Sequence, residues 1–207
     1  MDRGRTRRPV RKRIDHRAPL ATSVRWRDAA RSSRSSPAAA ADLLAIARIY
    51  GTAVRTSVAT FDLTDPPNSY WKHKISSSVS GDHVLVVEDG PDVVGYAYSG
   101  AFRSRPAYAQ TRETSVYLAP EAVGAGLGTL LYSQLLSLLR TDGIHLVVAV
   151  IAQPNSASVA LHEKLGFELV GTLREVGRKF DRWIDTRWYQ LALERQPPAS
   201  SRLRGDL

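Results

Sequence analysis

Cysteine is absent from the 207 residues. That excludes a disulfide framework, a thiolate metal site and a cysteine-bound acyl intermediate, so any acyl transfer uses another nucleophile or passes directly to its acceptor. Long apolar runs are missing too: none approaches the roughly 18 residues a membrane helix needs. Nor is there a clear apolar core of roughly 7–15 residues with a cleavage site, as a secretory signal requires. The expected location is the cytoplasm, with no membrane partner; an organelle transit peptide has only its arginines in its favour. A phosphate-binding lysine is also lacking, because Thr129 follows Gly128 directly, and this excludes a P-loop. Dinucleotide spacing fails in both registers, since the third glycine position falls on Thr129 or on Leu131.

The formal net charge is +9, and all of it lies in one place: residues 1 to 34 hold twelve of the 29 basic and three of the 20 acidic residues. The rest of the chain is balanced. This arm, with Ser32-Ser-Arg-Ser-Ser36 at its end, lacks hydrophobic periodicity and is expected to be disordered. It is either a weak phosphate-binding arm, with nucleic-acid affinity that falls steeply with salt, or an unselected stretch ahead of a mis-assigned start, which is the preferred reading. The expected organisation is a basic arm over 1–36, a single domain over 37–195 and a tail over 196–207. With 43% hydrophobic residues, a chain of this length buries one substantial core.

Apolar residues at 43, 46, 49, 50 and 53 or 54 predict a helix over 42–56. Strands over 83–88 and 93–100 flank the turn Asp89-Gly-Pro-Asp92 as a hairpin. A strand over 112–118 and a long helix over 126–141 follow, then a buried strand over 145–151 and a helix over 156–165. Strands over 167–179 and 184–192 close the chain. The expectation is an α/β fold: a mixed sheet flanked by helices. Its most informative stretch is Val116-Tyr-Leu-Ala-Pro-Glu-Ala-Val-Gly-Ala-Gly-Leu-Gly-Thr129, a strand that breaks at Pro120 into a glycine-dense turn and opens a helix. Such a turn leaves backbone N–H groups unpaired at the positive end of a helix dipole, where a polyanion binds. The pyrophosphate of coenzyme A fits the pattern; the alternative is an ordinary tight connection.

Downstream stands Gln153-Pro-Asn-Ser-Ala-Ser-Val-Ala-Leu-His-Glu-Lys-Leu-Gly-Phe167, with Asn155 or Ser156 as helix cap and Gly166 as stop. Placed after the glycine turn and a strand, Asn-x-x-Ser and a short helix ending Leu-Gly-Phe resemble the GCN5-related N-acetyltransferase superfamily (GNAT). Segments Glu113-Thr-Ser-Val-Tyr-Leu118, Gly126-Leu-Gly-Thr-Leu-Leu-Tyr132, Val147-Val-Ala-Val-Ile151 and Leu161-His-Glu163 narrow the likeness. They are similar to the phosphinothricin and methionine sulfoximine or sulfone N-acetyltransferases, over residues 40 to 192.

The resemblance implies direct acetyl transfer from acetyl-CoA to the α-amine of a small amino-acid analogue, without a metal, in a homodimer. It assigns Glu113 as general base and places a free backbone N–H near Tyr117 or Leu118 on the thioester oxygen. Val116, Tyr117 and Leu118 would line the pantetheine, and Gly124, Ala125, Gly126, Leu127, Gly128 and Thr129 the pyrophosphate. Asn155 would hold the pantetheine arm, unless it serves as a helix cap alone. His162 or Tyr132 would protonate the departing sulfur, and Phe61, Tyr98, Arg105 and Tyr108 would surround the acceptor. Some positions depart from the family pattern. Val123 stands where Gln or Arg is usual, Gln110 where an aromatic is common and Phe102 where Trp is common. The expected first strand is either supplied by 23–27 or missing. Two other readings are a protein N-terminus or another amine as acceptor, and a non-catalytic coenzyme-binding module whose arm binds nucleic acid. A polyamine is disfavoured by the neutral body.

Overall fold

The computed structural model describes residues 33–193. Helix α1 (Leu43–Thr56) buries Ile46, Ile49, Tyr50 and Val54 along one stripe, as its spacing requires. Ser57 ends it, with Oγ donating to the Ala53 carbonyl at 3.0 Å. Helix α2 (Asn68–Ile75) is an element the sequence reading left unassigned. It is charged and polar apart from Tyr70, Ile75 and Trp71; Trp71 is 1% exposed and sits edge-on to Tyr50, Tyr70, Tyr96 and Tyr98 at ring distances of 5.0 to 6.3 Å.

Strands β1 (Ser35–Pro37), β2 (Val84–Asp89), β3 (Asp92–Ala101), β4 (Thr111–Leu118), β5 (Leu146–Ala152), β6 (Glu168–Lys179) and β7 (Arg182–Ala192) form one sheet in the order β1-β2-β3-β4-β5-β7-β6. Every pairing is antiparallel except β4 with β5. The first strand is thus present and lies at Ser35–Pro37, across the boundary drawn between arm and domain; the 23–27 alternative falls outside the described residues. Helix α3 (Leu127–Thr141) buries Leu127, Leu131, Leu135, Leu136 and Leu139 and packs across β2, β3 and β4. Helix α4 (Ser156–Lys164) follows β5. Among the described residues no helix is long and apolar enough to cross a membrane.

One irregularity positions everything that follows. Strands β4 and β5 pair only through Thr111↔Leu146, Arg112↔Val147 and Glu113↔Val148. Beyond that point β4 stays with β3 up to Leu118↔Gly95 and β5 stays with β7 up to Ala152↔Thr186. The sheet therefore opens as a wedge whose two inner edges carry unpaired backbone groups.

Candidate active site

The wedge contains a cavity of about 540 Å³. Its walls are the C-terminal half of α1, the open edges of β4 and β5, the glycine turn and the first turns of α4. Val116, Tyr117, Leu118, Gly124, Gly126, Gly128, Thr129 and Asn155 all line it, together with Pro120 and Val123. Ala125 and Leu127 do not, because their side chains are buried in the core; only their main chain faces the turn. Gly124 and Gly126 have φ of +87° and +83°, in the left-handed region where glycine alone is unstrained. The first bond within α3 runs from the Leu130 N–H to the Gly126 carbonyl at 3.1 Å, and no side chain caps the helix. The Leu127, Gly128 and Thr129 N–H groups consequently have no acceptor within the helix, the condition for anion binding.

Alternation along β4 fixes which backbone donors face the wedge. Ala119 donates its N–H to Val94 of β3 at 2.8 Å, and N–H groups two residues apart point the same way. Tyr117 therefore points toward β3, while Val116 and Leu118 point into the opening. Of the two positions proposed from the sequence for an oxyanion donor, Leu118 has the required direction and Tyr117 does not.

Beneath the wedge runs a chain of side-chain hydrogen bonds. The Tyr132 hydroxyl, fully buried, lies 2.7 Å from Thr114 Oγ1 and 3.0 Å from His162 Nε2. His162 Nδ1 is 2.7 Å from the Ser158 carbonyl. A carbonyl only accepts, so Nδ1 carries the proton and Nε2 accepts from Tyr132. Burial lowers the His162 pKa despite the Ser158 contact and raises that of Tyr132, so both rest neutral. Thr114 and His162 border the cavity, whereas Tyr132 is sealed behind them. Asn155 caps α4, its Oδ1 accepting from the Ser158 N–H at 3.1 Å, and it also lines the cavity.

A second, smaller cavity of about 230 Å³ adjoins the first, sharing Ser115 with it. Glu113 and Tyr98 line it, as do Tyr70 and Lys74 from α2. Burial pushes the Glu113 carboxyl above the ordinary carboxylate range, with Arg103 and Lys74 pulling partly back. The other residues expected around the acceptor lie elsewhere. Phe61 lies against the closing hairpin, where a side chain on Gly177 would overlap its ring. Arg105 and Tyr108 are exposed, with the Tyr108 ring 5.7 Å from Phe102. None of the three lines either cavity. Sequence reasoning missed Ser115, Tyr70 and Lys74, the last two because their helix was missed. Among the described residues no group of three or more His, Asp or Glu is placed to hold a metal.

Comparison with known proteins agrees with this geometry. The acetyltransferase (GNAT) domain family matches residues 37–188. The chain is 42% identical over 162 residues to a phosphinothricin N-acetyltransferase of Streptomyces coelicolor, covering 76% of this chain and 94% of that protein. It is 36% identical over 159 residues to an L-methionine sulfoximine/L-methionine sulfone acetyltransferase of Pseudomonas aeruginosa, covering 76% and 92%. Among solved structures, a phosphinothricin acetyltransferase from Sinorhizobium meliloti in complex with AcCoA superposes with a TM-score of 0.74 at 38% identity, covering 78% of this chain and 88% of that one.

Proposed function

The chain belongs to the GNAT acetyltransferase family, and from that premise we propose that it transfers the acetyl group of acetyl-CoA directly to the α-amine of a small amino-acid analogue. Phosphinothricin, methionine sulfone and methionine sulfoximine define the acceptor type. The observation that carries this reading is the divergence of β4 and β5 just past Glu113 and Val148, which joins the glycine-turn cavity to the one holding Glu113 at Ser115.

Acetyl-CoA supplies an activated carbonyl and a thiol leaving group. The first-turn N–H groups of α3 and those of the glycine turn hold its pyrophosphate, and Asn155 holds its pantetheine arm. The Leu118 N–H is aimed, before substrate arrives, at the carbonyl oxygen that gains charge; such a donor is worth about 3–4 kcal/mol. Glu113 takes the proton from the acceptor amine. An α-amino group titrates near pH 8, so deprotonating it at neutral pH costs about 1–2 kcal/mol and a modest base suffices. Burial has moved Glu113 toward that task. We assign the Thr114–Tyr132–His162 chain to the departing sulfur: Thr114, at the cavity face, turns its hydroxyl from Tyr132 to the thiolate, which then takes its proton from water, while Tyr132 keeps donating to His162 and holds the chain in register. Arg105 and Tyr108, exposed and lining neither cavity, take no part in this reading.

The enzyme would act in the cytoplasm and as a homodimer. Support for the dimer comes from β6, an edge strand on which Leu169, Val170, Leu173 and Val176 are all exposed; an apolar edge of this kind favours association.

Thiol release from acetyl-CoA, measured against a panel of amino-acid analogues with Glu113→Gln and Tyr132→Phe alongside, tests the reading. Wild type is expected to release thiol with at least one analogue. Glu113→Gln should lower kcat by roughly 10²-fold or more, and Tyr132→Phe by roughly tenfold or more. No thiol release with any acceptor would end the proposal; an unchanged kcat in Tyr132→Phe would return that chain to a packing role.

A further inference from the structure

Lys74 is a half-buried cation set against aromatic faces, with the carboxylates of Asp82 and Glu113 acting on it only from beyond ion-pair distance. It lies on α2 three residues after Trp71, the buried anchor of that helix, and so projects to the same side. Its Nζ stands 4.3 Å from the Tyr98 ring centroid and 5.1 Å from that of Tyr70. These two faces hold the ammonium in place, but they do not replace the hydration it has lost. Among the described residues no carboxylate comes within ion-pair distance of it.

Its position relative to Glu113 follows from strand register. Gly100 is the residue opposite Glu113 on β3, and directly opposed residues in an antiparallel pair project to the same face. A side-chain carbon on Gly100 would sit 3.8 Å from Lys74 Nζ. The ammonium thus occupies the space across the strand pair from the Glu113 side chain, and glycine at position 100 leaves that space open. Both groups line the cavity of about 230 Å³ that meets the wedge at Ser115. Burial pushes Lys74 down and Glu113 up, and each charge pulls the other partly back.

We propose that Lys74 binds the α-carboxylate of the acceptor, so that the small cavity reads a vicinal amine and acid: Glu113 takes the amine end and Lys74 the acid end. This rests on the amino-acid reading of the acceptor given above and adds the group that selects for it. In an α-amino acid the amine and carboxylate sit on one carbon, which matches two charges placed across one strand pair. Simple amines and carboxamides bring no carboxylate to the half-buried ammonium and leave its lost hydration unreplaced.

The test compares Lys74→Met, which keeps the length and the aromatic contacts but removes the charge, with Lys74→Arg, which keeps the charge. Steady-state kinetics are run with the best α-amino-acid acceptor of wild type, with its α-carboxamide and with its decarboxylated amine. Lys74→Met is expected to raise KM for the acid about tenfold or more, the loss of one charge-assisted hydrogen bond, with KM for acetyl-CoA changed less than about twofold. Lys74→Arg recovers much of the difference. Wild type prefers the acid over the carboxamide and the amine, and Lys74→Met abolishes that preference. Equal use of acid and carboxamide by wild type, or equal losses on all acceptors in Lys74→Met, would overturn the inference while leaving the acetyltransferase reading intact. Failure of wild type to acetylate any of these acceptors would overturn the substrate reading and this inference with it.

Discussion

Glu113 is poised by its surroundings rather than by its neighbours in sequence. Its raised pKa has burial as the largest cause, and only the deprotonated carboxylate accepts a proton. Activity should therefore be lost as pH falls through a value above the ordinary carboxylate range, and present above it. A pH profile of kcat/KM for the acceptor checks this: the lower-pH ionisation should vanish in Glu113→Gln, leaving that of the acceptor amine at about pH 8, and a lower-pH ionisation that persists would assign it to another group. At the turn, Val123 is 56% exposed and lines the cavity, so a longer basic side chain fits there without repacking. Val123→Arg is expected to tighten acetyl-CoA binding several-fold by adding a charge-assisted bond to phosphate, measured by calorimetry. Unchanged or weaker affinity would mean that the pyrophosphate lies elsewhere. The glycines, Asn155 and Glu113 were legible as residues because each has a local signature of turn, cap or strand end. Ser115 was not, since an ordinary serine becomes a junction only where two strands part.

Among the elements, α2 shows most clearly how a helix escapes sequence pattern. Its two turns contain a single fully buried residue, Trp71, so there is no apolar stripe to detect, and the Pro66-Pro67 pair ahead of it reads equally well as a loop. What holds the helix is tertiary: one large ring set among four tyrosines. Trp71→Ala should cost about 3–5 kcal/mol in urea unfolding. It should also raise KM for the acceptor more than for acetyl-CoA, because Tyr70 and Lys74 ride on the same helix while the larger cavity, proposed for the coenzyme, draws nothing from it. A loss below about 1 kcal/mol would show that α2 is held by something other than its tryptophan. The longer elements were read to within a few residues, since α1, α3 and β5 each repeat a burial pattern often enough to be seen. β1 is three residues long and repeats nothing.

For the whole molecule, the sheet ends on β6, whose exposed apolar residues continue toward Phe180 and Trp183 near the hairpin turn. If this edge joins two copies, the wild-type protein sediments as a dimer, and Val170→Lys combined with Leu173→Lys yields a folded monomer. A wild-type monomer across the concentrations used for kinetics would remove the dimer.

The sequence by itself determined the strand, glycine turn and helix that border the wedge cavity, because left-handed glycines, an open helix N-terminus and apolar periodicity are properties of neighbouring residues. Tertiary structure alone decided that Lys74, Tyr98, Glu113 and Ser115 share one small space and that Phe61, Arg105 and Tyr108 line neither cavity. Those placements depend on strand register, on where β4 leaves β5 and on how a helix docks through one tryptophan. Each of these is fixed by packing between segments distant in the chain.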